Sequence, residues 1–451
     1  MRDIIQASRS GLQAAEKQLS VTAHNIANIN TPGYSRQRTD LSPNATTING
    51  MTVGRGVTID DVTRIRHELI DEQIQTQSSK FGAYQQRSVA LEQVESVFTS
   101  GAGGDLDESI TEFFNSFRQL AARPESSSLR EDVSRKAATM AGKFNEVDFR
   151  LNEITKSIAE KGRELLDRVN QFMQELAELN NSIRQAEARG GEDTEALDRQ
   201  VVILEDLSEI IDVDTRRAEN GTLEVNIGGI NLLENDNVKQ LTPEVDPDKN
   251  IFRARLEGSK VVDLKGGELG AAAQLVEQDI RSYQDELDQI AGHIVERVNE
   301  VHSQGYNLNN GTGVEFFDPD NQTASSIALS NVITNDISNI AASSEPDAPG
   351  NNDIALQIAA ISDETTNSGR NLHESAIGLA SRAGAELNDA RSGKQTADSA
   401  KRMLSNQQEA ISGVNMDEEL TDLISHQNAY QASARVMNSA QQMFDSLLSI
   451  V

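Results

Sequence analysis

From Ile5 onward, large apolar residues recur every seven positions, at Ile5, Leu12, Leu19 and Ile26, with Ser8, Ala15, Thr22 and Ile29 three residues after each. A seven-residue repeat with one large and one small position predicts a helix that approaches its neighbour closely along one seam. The repeat stops at Asn28 and Asn30. Pro32 has no N–H with which to continue a helix, and Gly33 admits a turn. Tyr34 and Ser-Arg-Gln-Arg lead out of it, and Val53, Val57, Ile59 and Val62 among Gly50, Gly54 and Gly56 then predict short strands or an extended arm.

A helical pattern resumes over 67–100 and meets GAGG at 101–104. After Pro124, Phe144, Val147, Leu151, Ile154 and Ile158 alternate in steps of three and four, and Leu165, Val169, Phe172, Leu176, Leu179 and Ile183 resume the alternation. Between these blocks, Ile158, Lys161, Leu165 and Val169 give an 11-residue spacing, which unwinds a left-handed coil locally. Gly190 and Gly191 end the run. From about Ile211 to Lys265, alternating residues and turns such as TLEVNIGGINLLEN predict a small β unit. Helix returns at about 267–304, NLNNGTGVEFFDPDNQ reads as a loop, SSEPDAPGNND at 343–353 reads as a flexible linker, and two helices finish the chain at about 370–412 and 416–450.

The last helix mirrors the first: Met416, Leu423, Tyr430, Met437, Phe444 and Val451 recur every seven residues, with Leu420, Ala434 and Leu448 on a companion seam. Its start, Asn415-Met416-Asp417-Glu418-Glu419, offers an N-cap asparagine and three acids at the positive end of the helix dipole. Such a cap contributes about 1 kcal/mol. Matching heptads at both ends predict that the termini pair with each other. A lone pair has little core, so the remaining seams are expected to be buried against other copies.

The expected fold is mainly α: a long coiled-coil helical bundle formed by N- and C-terminal segments, with an inserted small β-rich domain. Residues 1–66 would form an N-terminal assembly helix plus extended β arm, and 67–210 a long helical coiled-coil body. Residues 211–266 would be the β-rich insert, with 305–352 as its candidate continuation. A helix at 267–304 would return toward the body, 353–412 would belong to it, and 413–451 would be the C-terminal assembly helix.

Composition narrows the function. Only 4% of the 451 residues are aromatic and there is no Trp, which fits extended helical packing better than an enzyme with deep pockets. The absence of cysteine excludes disulfides, thiolate metal sites and Cys nucleophiles. The N-terminus lacks a continuous apolar segment with a small-residue cleavage site, and no apolar run approaches about 18 residues, so neither Sec targeting nor membrane insertion is expected. Net charge is −30; residues 1–66 hold eight Lys/Arg against five Asp/Glu, and 401–451 three against six, so the excess negative charge sits in the middle. An acidic middle repels phosphate, which argues against nucleic acid as a partner.

No motif carries catalysis. The histidines, at 24, 67, 293, 302, 373 and 426, show no metal-ligand spacing, and nucleotide-binding or hydrolase signatures are missing from the sequence. Acid pairs such as Glu418-Glu419 and Asp60-Asp61 are expected to cap helices or face solvent. NLNNGTGVEFFDPD has oxygen ligands and glycines but not the calcium-loop order, so a turn is expected there. Arg36 and Arg38 beside Tyr34 are too few for a nucleic-acid groove; an intersubunit contact or a plain helix exit fits better. No cofactor or metal is expected.

Two segments carry a family resemblance. SGLQAAEKQLSVTAHNIANINTPGYSRQR resembles the N-terminal signature of the flagellar rod, hook and hook-associated axial proteins, and SGVNMDEELTDLISHQNAYQASARVMNSAQQMFDSLL resembles their C-terminal helix. The long helices of about 130–210 and GYNLNNGTGVEFFDP are similar to the hook-associated members. The resemblance implies a structural protein outside the cell, at the hook-filament junction, exported by the flagellar type III apparatus without a cleaved signal. Implied partners are further copies of the chain (a homo-oligomer on assembly), the hook protein, the next hook-associated protein toward the filament, and an export chaperone at the C-terminal helix. Larger members insert an outer domain after the segment matching GVEFFDP; here about thirty residues separate it from the returning helices, so one β domain is expected.

On this reading Ile5, Leu12, Leu19, Ile26, Asn28, Pro32, Gly33 and Tyr34 form the N-terminal half of an assembly interface. Asn415, Leu420, Leu423, Tyr430, Met437, Phe444 and Leu448 form the C-terminal half. Asn25, Asn28 and Asn30 offer polar contacts that fix register between packed helices. The competing readings are a hook or distal rod subunit, a rod-associated peptidoglycan hydrolase, which would need two matched carboxylates in a cleft, and a cytoplasmic coiled-coil scaffold, which would leave the paired terminal signatures unexplained.

Overall fold

Helix α1 (Arg2–Ala27) ends where its sequence runs out of heptad, and the chain turns back into an antiparallel hairpin of β1 (Gln37–Ile48) and β2 (Met51–Arg64). The structure, a computed structural model, describes residues 2–48, 51–99, 106–246, 249, 251–256, 260–366 and 369–448. The expected helix breaker at 101–104, Gly50 and heptad residue Val451 lie outside the described residues, as does the side chain of Leu448. The chain is mainly helical, with α2 (Glu68–Thr99), α3 (Leu106–Ala122), α4 (Ser127–Glu187), α5 (Thr194–Ile210), α10 (Leu372–Ser412) and α11 (Met416–Leu448) among its elements. It divides into two compact units: 1–80, 168–240 and 396–451 form the first, and 81–167 with 241–395 the second.

In the first unit α1 packs against α11 and the β1–β2 hairpin. Its buried positions are the small ones: Ser8, Ala14, Ala15, Val21, Thr22 and Asn25. The large heptad residues Ile5, Leu12, Leu19 and Ile26 are half-buried. Close approach follows from this choice of residues. A Cβ on Gly56 of β2 would stand 2.0 Å from Ser10 Oγ, and one on Gly11 would stand 3.0 Å from Ser433 Oγ on α11. The same unit holds the end of α4, α5 and a four-stranded antiparallel meander of β3 (Asp214–Arg217), β4 (Leu223–Ile227), β5 (Ile230–Glu234) and β6 (Asn237–Val238). Leu223, Val225 and Ile227 alternate inward along β4, as a half-buried strand requires. Asn180 of α4, fully buried, ties the sheet to the helices: its Nδ2 donates to the carbonyls of Leu223 (2.8 Å) and Asn235 (2.6 Å), and its Oδ1 accepts from the Leu223 N–H (2.8 Å) and Gln200 Nε2 (2.9 Å).

The second unit contains a separate three-stranded sheet, β7 (Leu241–Asp246), β8 (Ile251–Leu256) and β9 (Val261–Val262). The strands of 211–266 therefore form two sheets rather than one. Phe252 of β8 stacks over Gly162 of α4, where an added Cβ would meet the ring at 2.1 Å. The seam position assigned to Lys161 from its spacing is thus occupied by Gly162, which is buried while Lys161 is exposed; a ring on the neighbouring sheet needs the space. Helix α6 (Gly267–Gln274) passes through one π turn at Leu275–Asp279 into α7 (Ile280–His302).

Residues 303–352 contain helix α8 (Asn331–Asn335) but no strand beyond two isolated bridges, Tyr306 with Ser343 and Phe317 with Leu329. They are nevertheless densely hydrogen-bonded. Asn307 Oδ1 accepts from the N–H groups of Asn309 (2.9 Å) and Gly311 (2.7 Å), so this stretch is a turn. The segment 343–353, read as a flexible linker, is folded onto itself: Ser344 donates to Asn351 and Asp353 before α9 (Asp353–Ala360) begins. Beneath it Phe113, Phe114, Phe117, Phe316 and Phe317 form the aromatic core with His302. Buried His302 has its Nδ1 2.7 Å from the Val314 carbonyl and accepts the Ala341 N–H at Nε2 (2.8 Å), which fixes the neutral ring with the proton on Nδ1. Burial lowers its pKa to about 4.

Candidate assembly interface

The turn that ends α1 is made by capping. Asn28 Nδ2 donates to the His24 carbonyl (3.0 Å), and Thr31 Oγ1 donates to Asn28 Oδ1 (3.1 Å). Gly33 then takes a left-handed φ of +78°, and a Cβ there would stand 2.3 Å from Val202 Cγ2 of α5, so only glycine fits both the backbone and the space.

Beyond the turn the chain enters a buried polar hub. Asn25, 2% exposed, uses its whole carboxamide: Nδ2 donates to the Gln37 carbonyl (3.0 Å) and to Glu419 Oε2 of α11 (3.1 Å), while Oδ1 accepts from Tyr34 Oη (2.7 Å) and the Gln37 N–H (3.0 Å). Glu419 is 1% exposed, and Arg36 Nε meets its Oε1 at 2.7 Å. The same guanidinium reaches Glu418 Oε2 (2.9 Å) and Asp422 Oδ2 (3.4 Å), and the Arg36 N–H donates to the Ser412 carbonyl (2.8 Å). Burial, with the charges of Asp198 and Glu419, pushes the Tyr34 phenol well above its usual range, so it stays a donor. Glu419 therefore is not the solvated capping acid its sequence position suggests, because it closes a contact with residues almost four hundred positions away. Arg36 binds within its own chain, while Arg38 pairs with Asp40 (3.0 Å) on the hairpin.

A second ionic group anchors the exit segment to α5. Asp198 accepts from the Ser35 N–H (3.1 Å), Ser35 Oγ (2.7 Å) and Arg64 Nη1 (2.8 Å), and Arg66 donates through Nε and Nη2 to the two carboxylate oxygens of Asp71 (2.8 and 2.9 Å). Sequence reading missed Asp198 and Glu419, since nothing local marks their partners. Among the described residues no cluster of three or more His, Asp or Glu could hold a metal ion, and no helix is long and apolar enough to cross a membrane.

The contacts Asn25 to Glu419 and Gly11 to Ser433 make α1 and α11 antiparallel, with the start of α1 and the finish of α11 at the end away from the hub. Asn415 caps α11, accepting the Asp417 N–H at 3.0 Å. Leu423 and Met437 are half-buried on the side toward α1, and Ala440 is fully buried. Leu420 (45% exposed), Tyr430 (42%) and Phe444 (46%) are open, and Ile424, Val436 and Met443 extend this apolar exposure around the helix. Of the N-terminal positions, Pro32 is exposed, and Asn28, Gly33 and Tyr34 are half-buried at or beside the hub. The structure thus gathers Asn28, Gly33, Tyr34 and Asn415 at one end of the pair, and leaves Tyr430 and Phe444 along it.

Comparison with known proteins places the chain among flagellar axial proteins. Residues 91–317 match the family described as flagellar hook-associated protein FlgK helical domain, residues 5–34 the flagella basal body rod protein family, and residues 407–450 the flagellar basal body rod FlgEFG protein C-terminal family. The chain is 26% identical to flagellar hook-associated protein 1 of Bacillus subtilis over 99% of its own length and 97% of that protein's. It is 24% identical to the Escherichia coli protein of the same name, with both chains covered completely. The solved flagellar hook junction protein FlgK from Burkholderia pseudomallei shares the fold at a TM-score of 0.66 and 12% identity, covering 77% of this chain and all of the other. Helical body, terminal signatures and full-length relatives agree: the chain belongs to the FlgK family of flagellar hook-associated structural proteins.

Proposed function

We propose that this chain polymerises at the distal end of the hook and connects it to the filament, and that α1 and α11 supply the contacts between copies. The observation that carries this reading is the incomplete coverage of α11. Apolar residues repeat around that helix, yet α1 takes only one side of it and leaves Leu420, Ile424, Tyr430, Val436, Met443 and Phe444 open. Exposed apolar positions concentrated on one helix mark an interaction surface. The proposed N-terminal contacts are Ile5, Leu12, Leu19 and Ile26, half-buried and able to lose further area. On the distal side the partner is the next hook-associated protein, on the proximal side the hook protein, and before export a chaperone covers the C-terminal helix. Export proceeds through the flagellar apparatus without a cleaved signal, and the acidic middle faces solvent.

The test is electron microscopy of cells lacking the gene, with flagellin assayed in the medium. Completed hooks without filaments and flagellin lost to the medium are the expected result. Normal filaments would remove the assignment, and missing hooks would move the chain to the rod or hook.

A further inference from the structure

The β7–β8–β9 sheet of the second unit has one guarded edge and one open edge. On β7 the guard is Pro243, with Glu244 beside it, whereas on β9 the edge is Val261 and Val262. The ladder fixes which groups face outward. The Leu256 N–H donates to the Lys260 carbonyl (2.9 Å), so Leu256 and Lys260 form a bonded pair, and alternation makes the pair Arg255 and Val261 non-bonded and the pair Ala254 and Val262 bonded. The Val261 N–H and carbonyl therefore point away from β8, and among the described residues nothing takes them. The same alternation turns the missing N–H of Pro243 outward on β7, which removes a donor from that edge.

Alongside β9 lies a cleft of about 680 Å3, with Val261 to Lys265 on one wall and Gly270, Ala271 and Ala273 of α6 on the other. Small residues on the helix side leave room for a second backbone. Val261 is 41% exposed, so apolar surface accompanies the open groups. The charges nearby run against the rest of the unit. Residues 81–167 and 241–395 hold 22 Lys/Arg and 40 Asp/Glu, yet Arg253, Lys260 and Lys265 cluster at β9. Arg253 and Lys265 are held by Glu277 and Asp263 (both 2.8 Å) in pairs that solvent reaches and that contribute little, and Lys260 has no ion pair among the described residues.

We propose that β9 is a docking edge for an acidic, extended segment of a partner protein, which joins the sheet as a fourth strand. The segment's backbone takes the outward Val261 groups, alternate side chains enter the cleft beside α6, and its carboxylates meet Lys260 and Lys265. Strand addition of this kind takes affinity from main-chain hydrogen bonds and specificity from pockets for alternate side chains. The segment belongs to another protein, because acidic stretches of this chain such as 417–419 and 343–353 are already helical or tied into turns. The site lies wholly in the second unit and does not depend on the junction reading.

Fluorescence anisotropy tests this with the full chain and a fluorescein-labelled heptapeptide of alternating aspartate and valine. Saturable binding is expected, and the matching peptide of lysine and valine is expected not to bind. Because Val261 donates nothing to β8, Val261→Pro should keep the heat transition of the chain yet weaken binding about tenfold, the scale of one lost hydrogen bond. Lys260→Glu with Lys265→Glu should weaken it as well and flatten its salt dependence. In the unsubstituted chain the aspartate peptide should slow amide exchange at Val261 about tenfold. Absence of binding, equal binding of the lysine peptide, or a folded Val261→Pro chain that binds as tightly as the original overturns the proposal. Two results do so whether or not the proline variant folds: undiminished binding of an aspartate peptide whose backbone amides are N-methylated, and exchange at Val261 that the peptide leaves unaltered.

Discussion

Lowering the pH from 7.5 to 5.0 should weaken the aromatic core of the second unit through one residue, His302. Its folded pKa of about 4 lies below the ordinary value of 6.5 because burial disfavours the charged ring, and only the Val314 carbonyl among its partners favours protonation. The unfolded chain therefore binds the proton first as pH falls. Stability from this group is fully present above pH 6.5, declines between 6.5 and about 4, and levels off below that. The linkage relation gives a loss of about 2 kcal/mol at pH 5.0 and about 3 kcal/mol in full. Buried Asp148 and half-buried Asp279 and Asp288, whose pKa values desolvation raises, act in the opposite direction. The quantity to measure is accordingly the difference between the wild-type chain and His302→Gln, in which those contributions cancel. Urea unfolding followed by exchange at the amides of Phe316 and Ala341 should show the wild-type advantage at pH 7.5 shrinking by about 2 kcal/mol at pH 5.0. An advantage that does not change with pH, or a ring signal from His302 that titrates near 6.5 in the folded chain, would refute the reasoning.

Particular contacts set three further outcomes. Gly33→Ala forces a side chain into Val202 at a left-handed φ and should cost about 1–3 kcal/mol, read as faster exchange in residues 34–38 with the second unit unchanged. Asn180→Leu leaves the Leu223 N–H and the Gln200 amide without their acceptor and should destabilise the β3–β6 sheet by about 2–4 kcal/mol, read by urea unfolding. Leu423→Asp with Phe444→Asp should leave a folded, exportable chain that does not join hooks. Loss of the far-UV signal and heat transition of its middle would contradict the proposed division of labour.

The helices were legible because period and punctuation agreed. The α1 repeat stops at Asn28, Gly190 (φ +79°) follows the 61-residue α4, and Asn415 caps α11. Strand texture was legible over 211–266, but alternation cannot say which strands share a sheet, so the break between β6 and β7 was not. Partner choice was hidden for the same reason. Nothing local marks Asn180 or Arg130 as buried, yet both are, with acceptors such as the Pro124 carbonyl for Arg130 Nε (3.0 Å) supplied by tertiary structure. Burial pushes Arg130 down only to about 10, so it remains a cation held by carbonyl dipoles. Residues 303–352 showed loop composition and no period, and their order comes from side chains such as Asn299, whose Oδ1 accepts the N–H groups of both Phe316 (2.9 Å) and Phe317 (2.8 Å).

The central claim, a place between hook and filament, is met most directly by immunogold labelling of intact flagella with antibody raised against the second unit. The account predicts gold in one narrow band where the hook ends and the filament begins. Label spread along the hook or filament, or confined to the cell body, would contradict it.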